Sequence, residues 1–349
     1  MAFCGECGAQ LRHEARFCST CGATTASPVP ANPNSSSTTL DPGRLDTRVR
    51  VPAGALVLLG GVLTIAAMFP AYYSHGAALG DSTPTVWYNV PALIVWPLAG
   101  VLLLVGRTSG AGAGLAAGSA LVWIGAYFGD IGAVVEGQQR AGPGAVLGFI
   151  GVAAVTIGGV AAAVAWLLRQ PAPRGGGPWW VLAVGPIALV YAVATFANWD
   201  TITARITVPN LVFSGINKPE LVTRCCTPFQ FHGWVRTGDL WVPLAVVAVA
   251  LAATAIRGVL GTSALIGVVS VAFAPVLYEF ADLARAWGPA DLRIDAATAT
   301  QEGLVVTVRP LAGLWLAGAA AALLGLVSLA RALHARDIAR PVLPEPGPR

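Results

Sequence analysis

The chain has 349 residues, of which 55% are hydrophobic and only 11% charged, with a formal net charge of +4. A water-soluble domain carries roughly 25% charged residues, so most of this chain must face something other than water. That excludes a soluble globular protein for most of the length, and a net charge this small bears on membrane topology rather than on nucleic acid.

The first twenty residues lack the apolar core of a secretory signal, which predicts an N-terminus in the cytosol. They hold four cysteines, Cys4, Cys7, Cys18 and Cys21, as two Cys-x2-Cys pairs with ten residues between them. Zn²⁺ takes four thiolates in a tetrahedron, and a two-residue gap folds a knuckle that offers two of them. Gly8 and Gly22 follow the pairs and permit the positive φ that turns backbone N–H groups toward sulfur. So short a segment has almost no core, so the metal would supply its folding energy. Phe3 and Phe17, each one residue before a knuckle, can pack over the site. Disulfides compete poorly with zinc in a reducing cytosol, and four thiolates leave no place for His13 as a ligand.

The stretch from Phe3 to Ala23, FCGECGAQLRHEARFCSTCGA, resembles the short zinc-ribbon family found at the N-termini of many prokaryotic membrane and regulatory proteins. The resemblance implies one structural zinc and a compact hairpin-like fold, and no activity. Arg12 and Arg16 are balanced by Glu6 and Glu14, and four thiolates around Zn²⁺ leave the site net negative. A nucleic-acid binder needs a basic face; a contact with a cytosolic protein, or a purely structural role, fits this charge better.

The ribbon is assigned to 1–23 and a Ser/Thr/Pro-rich flexible linker to 24–50. Arg44, Arg48 and Arg50 abut the first apolar run and hold that flank in the cytosol. A helix needs about 20 apolar residues to cross the hydrocarbon. Eight candidate spans follow, at 52–73, 89–106, 112–131, 144–168, 178–198, 240–257, 259–280 and 311–333, ahead of a tail at 334–349. The expected fold is therefore an all-α polytopic membrane protein with both termini inside, embedded in lipid and placed in a prokaryotic plasma membrane. Arg107, Arg169, Arg174, Arg257, Arg331, Arg336 and Arg340 fall on the inner side of this topology, and 74–88 has no Arg or Lys.

The two sets of four spans run in parallel. Trp87 and Pro91 open the second span as Trp241 and Pro243 open the sixth; GSALV at 118–122 matches TSALI at 262–266; Arg107 and Arg257 close equivalent helices. This predicts a 4+4 parallel duplication, 51–174 and 175–333, within a membrane domain of 51–333. Two long loops, Trp199–Asp239 and Ala281–Pro310, fall outside; TITARITV at 201–208 and LVVTV at 304–308 are β-prone and can pair into a small cap.

Cys225 and Cys226 lie in the first long loop and can form a vicinal disulfide, pair with another chain or stay reduced; the missing x-x spacer argues against redox catalysis. Asp130, Glu279 and Asp282 are the acids nearest the membrane, expected at the span ends in interfacial water, with Pro275 breaking the helix before Glu279. Trp87, Tyr88, Trp179, Trp180, Trp199, Trp241 and Trp287 read as an interfacial belt. His75, His232 and His334 have no ligand spacing, and Gly175–Gly177 lacks the Lys-Ser/Thr of a phosphate loop. No catalytic constellation can be assembled. The leading reading is a non-enzymatic scaffold, sensor or adaptor whose ribbon contacts a cytosolic protein; the alternative is a small-molecule or lipid transporter built on the repeat.

Overall fold

The structure is a computed structural model of the chain and describes residues 2–3, 10–11, 45–72, 83–135, 140–169, 179–207, 223–225, 229–232, 241–256, 258–284 and 304–339. The chain divides into two compact units, Met1–Asp41 and Pro42–Arg349. In the first, β1 (Ala2–Phe3) and β2 (Gln10–Leu11) pair antiparallel, with Ala2 opposite Leu11 and Phe3 opposite Gln10.

The second unit carries two series of four helices among the described residues. The first is α1 (Thr47–Ala66), α2 (Thr83–Leu104), α3 (Ser109–Val135) and α4 (Pro143–Leu167), with the 3-10 turn Gly106–Thr108 joining α2 to α3. The second is α5 (Trp179–Phe196), α6 (Trp241–Ala255), α7 (Gly258–Ala284) and α8 (Ala312–Ala339). Runs of Ala, Leu and Val with no polar periodicity leave the helix as the conformation that satisfies every backbone group without water. Local signals set the ends. Asp46 caps α1 by accepting the Arg48 N–H at 3.0 Å, and Pro143 opens α4 directly after Gly142. Gly258, at φ +75°, makes the reversal into α7 that a side chain would resist.

Six of these helices are long and apolar enough to cross a membrane; the apolar stretches Trp180–Phe196 and Trp241–Ala255 are shorter. The outward surfaces of the helices are apolar: Leu59 and Val62 on α1, Ile150 and Ile157 on α4, Leu182 and Val193 on α5, and Leu326 and Leu329 on α8 are all more than half exposed. Such a surface suits lipid and would aggregate in water. Helix α1 begins at Thr47 and Leu45 is buried, so the last residues of the expected linker are ordered. Pro275 does not break α7, which runs through it to Ala284.

The packing order is the same in both series. Helix α1 contacts α2 and α4, and α3 contacts α2 and α4; likewise α5 contacts α6 and α8, and α7 contacts α6 and α8. The two rings meet through α3 and α7, with α2 against α7 and α6 against α3. Accordingly 83% of the α3 apolar window and 72% of the α7 window are buried, against 33–44% for the other four membrane-length helices.

At the α3–α7 crossing the backbones touch. A Cβ on Gly118 would clash with the Ala264 carbonyl oxygen, one on Gly114 would strike Leu260 and Ser263, and one on Gly267 would sit 2.7 Å from the Leu115 oxygen and 2.8 Å from the Ser119 nitrogen. Small residues four apart let helices approach this closely in lipid. Ser119 and Ser263, buried in the same contact, return their hydroxyls to their own helices, to Leu115 O and Val259 O, both at 2.7 Å. The α1–α4 pair is nearly as close, with Gly60 against Gly151 and Val155.

Strand β3 (Asn198–Thr207) continues from α5, and β6 (Leu304–Pro310) leads into α8. They pair antiparallel from Asp200–Pro310 to Ile206–Leu304, as the β-prone patterns predict. On its other edge β3 pairs β4 (Thr223–Cys225) and β5 (Phe229–His232). Between Asn198 and Asp200 the register slips, two β3 steps facing one of β5. This bulge places Trp199, which is fully buried, with Nε1–H donating to Ala194 O at 2.9 Å and its own carbonyl accepting Leu311 N–H at 2.7 Å. Trp199 is thus a core residue rather than a belt residue; Trp87 and Trp241, both exposed, keep the belt position.

Arg331 of α8 is buried, and its guanidinium donates to Ala253 O at 3.1 Å and to Ile256 O, the open carbonyls at the end of α6. Charge-assisted bonds of this kind contribute about 1.5–3 kcal/mol each. Arg331→Met should therefore lower the thermal stability of the detergent-solubilised protein by about 3 kcal/mol or more, followed as the monodisperse fraction on size exclusion after heating. Arg331→Lys, which keeps the charge and loses the fork, should recover less than half of that.

Asp46 offers a pH handle at the same end. The Arg48 backbone N–H, and then Arg169, 3.3 Å away, hold its carboxyl below the ordinary 3.8. A carboxylate with a lowered folded-state pKa contributes stability above the unfolded value, and the contribution fades as pH falls through the folded one. The stability gap between the wild type and Asp46→Asn should be open at pH 6–7 and should close below about pH 4. A gap independent of pH would rule out the carboxylate as its source.

Candidate functional site

The end of the helical unit that carries the sheet holds the buried carboxylates among the described residues, Asp200, Glu279 and Asp282. Two turns into α2, Tyr88 stacks at 5.1 Å on Trp123 of α3 and meets Tyr278 of α7 edge-on at 6.0 Å. Deeper in the bundle Trp96 meets Trp123 edge-on at 6.1 Å and donates its Nε1–H to Ser119 Oγ at 3.1 Å. The four rings form a column along the α2–α3–α7 seam, held in tilted and edge-to-face geometry.

Beside this column α7 carries Glu279 and Asp282, both buried to 1% exposure or less. Their three-residue spacing places them on one helix face. Asp200, fully buried, stands at the start of β3 opposite Pro310 of β6 and Phe231 of β5, and Asn89 is buried in α2 next to Tyr88. All four take part in polar or electrostatic interactions. The expectation that Glu279 and Asp282 sit in interfacial water is therefore corrected: both side chains are buried within the helical unit. Sequence depth alone misses this, because burial depends on which elements pack together at that end. Asp200 had a weak signal in the sequence, a charge closing an apolar span just before a β-prone run. A buried carboxylate costs several kcal/mol unless it is paired, which fits the interactions that these three groups make. Among the described residues no three His, Cys, Asp or Glu side chains converge as a metal-ligand set.

The residues singled out by sequence fall differently. Cys4, Cys7, Cys18 and Cys21 lie outside the described residues. Cys225 ends β4, its Cα opposite Arg205 of β3, while Cys226 lies outside the described residues. Asp130 belongs to α3, which continues to Val135. The structure thus places Glu279 and Asp282 on one face of α7. Comparison of the chain with protein-family models, with curated proteins and with solved structures finds no match.

Proposed function

We propose that the protein is a non-enzymatic membrane scaffold or sensor of eight spans, a 4+4 parallel duplication with both termini in the cytosol, whose N-terminal zinc ribbon contacts a cytosolic protein. One observation carries the reading: the chain separates into a small unit, Met1–Asp41, bearing both Cys-x2-Cys pairs, and a large apolar helical unit, Pro42–Arg349. A metal knuckle on its own unit beside a membrane body is the layout of an adaptor rather than of a catalyst. The zinc ligands in this proposal are Cys4, Cys7, Cys18 and Cys21, and the metal is structural.

The duplication is supported by the two identical packing rings and by the exchange-symmetric contacts at their junction, α2 with α7 and α6 with α3. The matching Ser119 and Ser263 back-bonds support it too. The two shorter helices, α5 and α6, count as spans because each occupies the ring position of a membrane-length helix, α1 and α2. The transporter alternative calls for a polar cavity at the repeat junction. Backbone contact at Gly114, Gly118 and Gly267 fills that place, which favours the scaffold.

The test is a crosslinking pull-down from native membranes with the full chain and a Cys4→Ser/Cys7→Ser variant. Loss of a cytosolic protein from the variant is the expected result; an unchanged bound set removes the adaptor role. The topology is checked separately. A membrane-impermeant thiol reagent applied to intact, reduced cells should label the Cys225/Cys226 loop, and labelling that appears only after lysis would reverse the orientation.

A further inference from the structure

At the end of the helical unit opposite the sheet, the start of α1 and the α2–α3 turn enclose a cleft of about 430 Å³ lined by Leu45, Thr47, Arg50, Val105, Gly106 and Arg107. Its walls are fixed. Leu45 is buried and its N–H donates to Ser109 Oγ at 3.2 Å, while the Ser109 hydroxyl donates to Gly106 O at 2.9 Å. Thr108 ties the turn from below through Leu102 O at 2.8 Å.

Among the described residues neither Arg50 nor Arg107 has an ion-pair partner, and Asp46, next to the lining residues in sequence, is engaged by Arg169 and by the Arg48 N–H. The first-turn N–H groups of α1 are likewise taken, those of Val49 and Arg50 by Asp46 O, so the feature is not a bare helix terminus. Arg50 Nε is shielded from solvent and has no hydrogen-bond acceptor among the described residues. A buried guanidinium N–H without an acceptor forgoes a strong bond. Two guanidinium groups and a hydroxyl around one open cleft match a tetrahedral oxyanion, which guanidinium forks hold in bidentate fashion. Val105 on the cleft wall, and Val51 and Leu104 next to lining residues in the chain, are exposed and apolar. That places an acyl-chain surface directly beside the cationic one.

We propose that the Arg50–Arg107 cleft binds a phosphate group, with the apolar flank of Val51, Leu104 and Val105 favouring the phosphate of an anionic phospholipid over a free phosphate ion. The site is independent of the ribbon and of the adaptor role; it needs only that this end of the helices lies at headgroup depth, where basic pockets between helices select anionic lipids.

Native mass spectrometry of the full chain in a neutral detergent, titrated with phosphatidylglycerol or with inorganic phosphate, tests this. The wild type should hold one phosphatidylglycerol through repeated detergent exchange. The Arg50→Gln/Arg107→Gln variant should weaken that binding about tenfold or more, as expected for losing two charge-assisted bonds. Arg140→Gln, at the sheet end, should leave it unchanged. If inorganic phosphate binds the wild type alone and displaces the lipid, the phosphate chemistry stands and its source is the free ion. Equal lipid and phosphate affinities in the wild type and the double variant would overturn the proposal, as would an equal loss in Arg140→Gln, which would mean diffuse surface charge. Should the double variant fail to fold, Arg50→Lys/Arg107→Lys replaces it. That pair keeps the charge and loses the fork, and undiminished affinity there would equally count against a built site.

Discussion

Replacing Gly118 with leucine should abolish the folded protein, and replacing it with alanine should destabilise it measurably. The position a Cβ would take on Gly118 is occupied by the Ala264 carbonyl and backbone of α7. Extra methylenes forced into a packed core cost about 1–3 kcal/mol when side chains can yield, and more when they cannot. Here the obstruction is the backbone of a helix that is itself held by α2, α3, α6 and α8. Relief requires α3 and α7 to separate, which would loosen the junction of the two rings. Gly318→Leu serves as the contrast, since a Cβ there meets nothing closer than a Val276 methyl at 3.5 Å. We expect Gly118→Ala to lower the thermal midpoint in detergent by several degrees and Gly118→Leu to leave no monodisperse peak. Gly318→Leu should stay near wild type. Equal tolerance at both positions would show that the α3–α7 contact does not hold the unit together.

Removing zinc should unfold the N-terminal unit and leave the helical unit standing. Structural zinc in small thiolate modules contributes about 10–16 kcal/mol of folding free energy, far more than so short a segment can gain from packing. Metal analysis of the purified chain should give one zinc, lost in Cys18→Ser and on prolonged chelation at mildly acidic pH, where protons compete with Zn²⁺ for the thiolates. After chelation the 1–26 region should become protease-sensitive, while cleavage within the helical unit should not change. A stoichiometry near zero in freshly purified protein would end the zinc assignment, and cleavage spreading into the helices would show that the two units depend on one another.

Much of the helical architecture was legible from residue order because lipid imposes one rule. A segment of Ala, Leu, Val and Gly long enough to cross must be a helix, since nothing else satisfies its backbone. The predicted spans at 144–168 and 311–333 accordingly lie within a few residues of α4 and α8. The β-prone runs at 201–208 and 304–308 were legible for a similar reason, β-branched alternation, and they pair as β3 and β6. The candidate site was much less so. Glu279, Asp282 and Asp200 look solvated when placed by depth, yet all three are buried, and Asp200 stands in a strand that pairs with β6 from about a hundred residues further along the chain. The position of Arg331 was likewise readable only as an inner-side charge, whereas its hydrogen bonds close another helix 75 and 78 residues away.

The sequence by itself determined the class of molecule: an apolar helical body built of membrane-length runs, and a cysteine-paired N-terminal segment. These follow from local properties, namely side-chain transfer free energy and residue spacing, which need no knowledge of neighbours. Tertiary structure decided what those elements do to one another. It chose which glycines are contacts, Gly118 rather than Gly318, and which tryptophan enters the core, Trp199 rather than Trp87. It also decided which arginines are satisfied, Arg331 and Arg169, and which guanidinium is left facing an open cleft, Arg50. The physical reason is that close packing, desolvation and hydrogen bonding are properties of pairs of surfaces, and the partners here are chosen by the packing of eight helices and a sheet rather than by any residue's own neighbours in the chain.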